Sequence, residues 1–148
     1  MNFNPENRGG FTLIEALLVV ALLVVIFGLS VGLNSNFYGT HALISERDNL
    51  VSLLRHARSL AMDNVGESSH GVFVSSNQYV LFNGDSYALR DPQYDVVFPR
   101  TSSVGAEGLP EVVFSPLEGN SGVSGTIAVF LGDGRSQIHI NNEGAIGW

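Results

Sequence analysis

The sequence predicts an α+β fold, in which a long N-terminal helix packs on a C-terminal antiparallel β domain. Three observations predict it. Residues 16–33 carry no charge and only one polar side chain, Ser30. Beyond them, apolar residues recur at helical spacing as far as Ala61. From Gly71 onward the period changes to that of strands, punctuated by Gly, Ser, Asn and Pro.

The uncharged run is the first element. Extended back to Phe11, it is interrupted once, by Glu15. About twenty residues at roughly 1.5 Å each cross a hydrocarbon core, so residues 11–33 read as a transmembrane helix. A buried core helix is one alternative, but a chain of 148 residues has little room to enclose it. A cleaved secretory signal is another; its apolar core usually runs about 7–15 residues to a small-residue cleavage site, and none follows here. Arg8 and the start amine, set against Glu6, leave a slightly positive end, and no arginine follows until Arg47. That asymmetry puts the N-terminus on the cytoplasmic side. Gly28 and Gly32 form a GxxxG pair that permits close backbone approach, or are ordinary membrane-helix glycines.

Residues 34–65 are expected to continue the helix in amphipathic form. Leu50, Leu54, Ala57 and Ala61 share one face, with Leu43, Val51 and Leu53 nearby. Glu46 and Arg47 interrupt the stripe, and Asn34, Ser35, Asn36 and Gly39 are weak helix formers. The first part of this segment is therefore expected to pack loosely. Gly66 suits a left-handed stop. A continuous helix over residues 11–64 would be about 80 Å long.

The β domain is expected over residues 66–148. Residues 71–75 and 79–83 read as a hairpin around Ser76-Asn77-Gln78, and residues 94–98 and 111–115 as short strands. Residues 126–131 and 135–140 flank Gly132-Asp133-Gly134, a strong hairpin signal. Residues 84–90 are a further candidate strand. Residues 99–110 and 117–125 read as loops.

Composition narrows the function. The absence of cysteine excludes disulfides, thiolate metal sites and a cysteine nucleophile. A net charge of -7, with seven arginines as the only basic residues, argues against nucleic acid as a partner, because phosphate contacts need clustered cations. His41, His56, His70 and His139 are scattered, none at metal-ligand spacing. His56 and His139 read as surface or packing residues. Asp133, Asn141, Asn142 and Glu143 could offer oxygens to calcium, but they fit no EF-hand loop and read as turn residues. No G-x-S-x-G elbow occurs. No catalytic residue, metal or cofactor is expected, and the chain is not expected to be an enzyme.

Glu15 is the anomaly in the apolar run. An acid there costs several kcal/mol near the bilayer centre and less near an interface, so it is either a functional group with a partner or a snorkelling side chain. A cut after Gly10 would create an amine at Phe11, four residues from Glu15. The stretch Gly10-Phe11-Thr12-Leu13-Ile14-Glu15, followed by the long apolar run, resembles the prepilin cleavage and methylation motif of type IV pilins and pseudopilins. The resemblance implies a type IV pilin-like fold and a leader of residues 1–10. It implies cleavage by prepilin peptidase between Gly10 and Phe11, N-methylation of Phe11, and a role for Glu15 in subunit assembly. It further implies other pilins or pseudopilins and an inner-membrane assembly platform as partners. The location implied is the bacterial inner membrane, crossed once, with a periplasmic C-terminal domain that joins a pilus or pseudopilus. The proline that many members carry in this helix is missing between residues 11 and 64.

Two further stretches resemble the GspH/FimT group of minor pilins and pseudopilins: Leu53-Leu54-Arg55-His56-Ala57-Arg58-Ser59-Leu60-Ala61, and Phe130-Leu131-Gly132-Asp133-Gly134-Arg135-Ser136 with Ile138, Ile140, Asn141 and Gly144. They imply a minor structural subunit of a type II secretion pseudopilus or type IV pilus. Some relatives bind DNA for uptake, but those carry a basic C-terminal end, and here only Arg135 follows the Gly134 turn.

Overall fold

A computed structural model describes the backbone of residues 10–32 and 35–148, and the side chains of residues 10–28 and 39–148. The chain forms two compact units, Met1–Phe37 and Tyr38–Trp148. The single long helix expected over residues 11–64 is not found. Among the described residues there are instead two α-helices, α1 (Leu13–Gly32) and α2 (Ser35–Met62), followed by eight strands in two sheets. The first ends at Gly32 and the second begins at Ser35.

The expected membrane crossing is also not upheld. Among the described residues no helix is long and apolar enough to cross a membrane. The reading of a transmembrane helix anchoring a single-pass inner-membrane protein with a periplasmic domain falls with it.

In the second unit, α2 buries Leu43, Leu50, Leu53, Leu54, Ala57 and Ala61 in a core shared with both sheets. One sheet has the order β3-β2-β1-β5, formed by β1 (His70–Val74), β2 (Gln78–Asn83), β3 (Val96–Pro99) and β5 (Glu111–Phe114). The other has the order β4-β6-β7-β8, formed by β4 (Gly105–Gly108), β6 (Gly125–Leu131), β7 (Gly134–Ile140) and β8 (Ile146–Gly147). All pairings are antiparallel. Val72, Leu81, Val112 and Phe114 face α2 from the first sheet, and Ile127, Val129, Ile138 and Ile140 from the second.

Three local readings need correction. The start of the second unit is not loosely packed, because Leu43 and Glu46 are both buried. Residues 84–90 form no strand. They fold over the outer face of the first sheet, where Tyr87 stacks on Phe73 at 3.8 Å and meets Phe82 edge-on at 5.7 Å. Arg90 clamps this cover, lying 3.6 Å from the Tyr87 ring and 2.9 Å from the Asp95 carboxylate. Residues 99–110 are not wholly loop, because β4 lies within them. Its Gly105 pairs with Phe130, whose ring lies where a Cβ would stand. Pairing partners, not propensity, make this glycine-rich segment a strand.

At the end of α2, Asn64 takes the left-handed conformation (φ 53°) and Gly66 follows at 69°. The Ala61 carbonyl accepts from the Asn64 N–H at 3.0 Å and from the Leu117 N–H at 2.9 Å, which ties the helix end to the later chain.

Candidate functional site

The motif residues begin α1. Thr12 is its N-cap. The Thr12 Oγ1 accepts from the Glu15 N–H at 3.3 Å, and its carbonyl accepts from the N–H groups of Glu15 (3.1 Å) and Ala16 (3.2 Å). Threonine followed three residues later by glutamate is the spacing of a capping box. That signal stood in the sequence beside the cleavage motif, and it gives Thr12 and Glu15 a local role in starting the helix. The Glu15 carboxylate also lies in the first turn, where the helix dipole favours negative charge.

Gly10 precedes the helix in non-regular backbone, and both it and Phe11 are exposed, Phe11 by 82%. A Cβ built on Gly10 would meet nothing within 4 Å. The Gly10–Phe11 bond therefore lies in exposed backbone immediately before a capped helix. The apolar side chains from Phe11 to Phe27 along α1 are all exposed. Gly28 has open space around it, while the side-chain surroundings of Gly32 lie outside the described residues.

The remaining candidates have structural partners. The Asn141 Oδ1 accepts from the Ala145 N–H at 2.7 Å, and the Asn142 carbonyl accepts from Ser121 and Gly122. The Glu143 carbonyl accepts from Arg58 Nη2 at 3.0 Å, and Arg58 Nε donates to the Gly119 carbonyl at 3.1 Å. These oxygens close the turn between β7 and β8 and tie it to α2. Asp133 sits exposed on the β6–β7 turn. Among the described residues no group of three or more acids and histidines is placed to hold a metal ion. Arg135 pairs with Glu107 at 2.5 Å across the sheet surface.

His56 and His139 are exposed, and His139 Nδ1 meets Thr126 Oγ1 at 3.1 Å. His70 is buried, and its Nδ1 donates to the Ser68 carbonyl at 3.1 Å. Burial holds the His70 imidazole below its ordinary pKa, partly offset by that hydrogen bond. Neither protein-family models, nor curated proteins, nor solved structures yield a match to this chain.

Proposed function

We propose that the chain is a structural, non-catalytic subunit of the pilin and pseudopilin kind. It is cut between Gly10 and Phe11 by prepilin peptidase, methylated on the Phe11 amine, and assembled with other such subunits through α1. The observation that carries the reading is the motif from Gly10 to Glu15, set at the mouth of a helix whose apolar side chains are exposed. An exposed apolar surface of this extent is a surface for association. The new amine at Phe11 and the Glu15 carboxylate would then stand at one helix end, where the amine of one subunit can meet the acid of the next. A minor subunit of the GspH/FimT kind is supported by the contact between its two characteristic stretches. Arg58 of the first reaches the Gly119 and Glu143 carbonyls, against which Gly144 of the second packs.

The test is the intact mass of the protein purified from cells with and without a prepilin peptidase. Loss of residues 1–10 and gain of one methyl group, only with the peptidase, is the expected result. An unchanged N-terminus in both preparations would end this reading. Glu15→Gln should then be processed normally but fail to enter filaments.

A further inference from the structure

A groove opens in the second unit between α2 and the free edge of the first sheet. Glu46, Asn49, Leu53, Tyr79, Phe98 and Pro99 line it, and its volume is about 350 Å³. The register of the edge strand shows what it offers. The Arg100 N–H donates to the Asn77 carbonyl at 3.0 Å, and Tyr79 stands opposite Phe98 two residues further along. Hydrogen-bonded and non-bonded pairs alternate in an antiparallel ladder, so Phe98 and Val96 direct their backbone groups to β2. Val97 and Pro99 direct theirs outward. Pro99 has no N–H, which leaves the Val97 N–H and the Val97 and Pro99 carbonyls as the free edge. The side chains of Val96, Val97 and Phe98 are 48%, 52% and 39% exposed. An edge this apolar, protected only by its shortness and one proline, is a template for another strand.

The groove floor holds two buried polar side chains, Tyr79 and Glu46. The Tyr79 hydroxyl is buried beside the Glu46 carboxylate, and burial, that charge and the contact with it raise its pKa. Glu46 is only 3% exposed and accepts from the Thr101 N–H at 3.3 Å, yet among the described residues it has no ion-pair partner. Arg100 directs its Nη1 and Nη2 to the carbonyls of Ser75 and Ser76, and its buried Nε has no hydrogen-bond partner. A buried carboxylate without a cation is costly to maintain.

We propose that the groove binds an extended segment of another protein, which adds as a strand to β3 and places a lysine side chain between Glu46 and Tyr79. An ammonium group suits this floor. It would take Glu46 as counter-ion and the Tyr79 hydroxyl and Asn49 side-chain oxygens as acceptors, while its methylene stem lies along Leu53 and Phe98. A second copy of this chain is the wrong partner. It has no lysine. Its arginines among the described residues are already engaged, with Asp48, Trp148, Gly119, Asp95, Ser75 and Glu107. This inference does not depend on the processing of Gly10 or on assembly through α1.

The probes are fluorescein-labelled seven-residue peptides of alternating valine and lysine, with norleucine or glutamate replacing lysine in the controls. Binding is read by anisotropy on the full chain, in a non-ionic detergent that covers α1. The lysine peptide should bind at least about tenfold more tightly than the norleucine peptide, the glutamate peptide more weakly still. Glu46→Gln, which retains an acceptor for Thr101, should bring the lysine and norleucine peptides within about twofold of each other. Val97→Pro should abolish binding of all three, since it removes only an outward N–H. Equal binding of lysine and norleucine peptides, or binding of neither, would overturn the proposal, and this comparison needs no variant. So would a concentration-dependent dimer of the chain that Val97→Pro dissolves, because the edge would then serve self-association.

Discussion

Helices α1 and α2 differ both in apolar content and in how much of it is exposed. α2 turns Leu50, Leu54, Ala57 and Ala61 into a core so complete that all four are 0% exposed. α1 is richer in leucine, valine and isoleucine, yet Leu13 is 84% exposed and Leu17 64%. The difference teaches that hydrophobicity alone does not say where a helix is buried. A stripe with a polar back is covered within its own unit, while a helix apolar all round presents that surface on every side.

The comparison breaks most visibly in the core. Leu54→Ala should lower the stability of the second unit by about 2–5 kcal/mol, because it leaves a cavity between α2 and both sheets. Leu18→Ala on α1 should leave the unit's denaturation midpoint unchanged while altering self-association. A midpoint shift of similar size for both would show that the helices are not so different. Next in size, Gly144→Ala should cost the second unit about 1–3 kcal/mol in urea titration. Its φ is +74°, and a Cβ there would press on the Gly119 carbonyl and the Arg58 guanidinium.

Thr12→Ala sharpens the same contrast from the other side. Loss of the N-cap should cost α1 about 1 kcal/mol of helix stability, read as faster amide exchange at Glu15 and Ala16. The midpoint of the second unit should not move. The smallest effect concerns pH. The folded-state pKa of His70 is depressed below its ordinary 6.5. The unfolded chain therefore takes up the proton first as pH falls, so the contribution is fully present above about 6.5 and lost below it. His70→Asn should flatten the fall in stability between neutral and mildly acid pH. An unchanged slope would mean that other groups set it.

Much of the second unit was legible as pattern. β1, β2, β6 and β7 lie within a residue or so of the alternating runs, because each carries a buried face and is bounded by turn residues. β4 was not legible, since Gly105 and Gly108 have no strand propensity and are held by β6. β8, two residues long, exists only as a partner of Ile140. Residues 84–90 misled because Tyr87 and Leu89 mimic alternation, while Gly84 and Ser86 form turns. Of the candidate site, Gly10, Phe11, Thr12 and Glu15 could be read directly, being adjacent. Glu46 could not. In sequence it is a flaw in an apolar stripe, and only packing brings it to Tyr79 and Phe98.

The placement of α2 has a consequence for how the protein is made. Its apolar face is covered by residues as late as Ile138 and Ile140, yet it leaves the ribosome before any strand. Neither sheet can bury its inner face without the helix, and the helix cannot bury its own until β7 has been synthesised. Through most of translation the nascent chain thus holds a sticky surface, and a stall before Gly134 would release a product prone to aggregation and recognisable to chaperones.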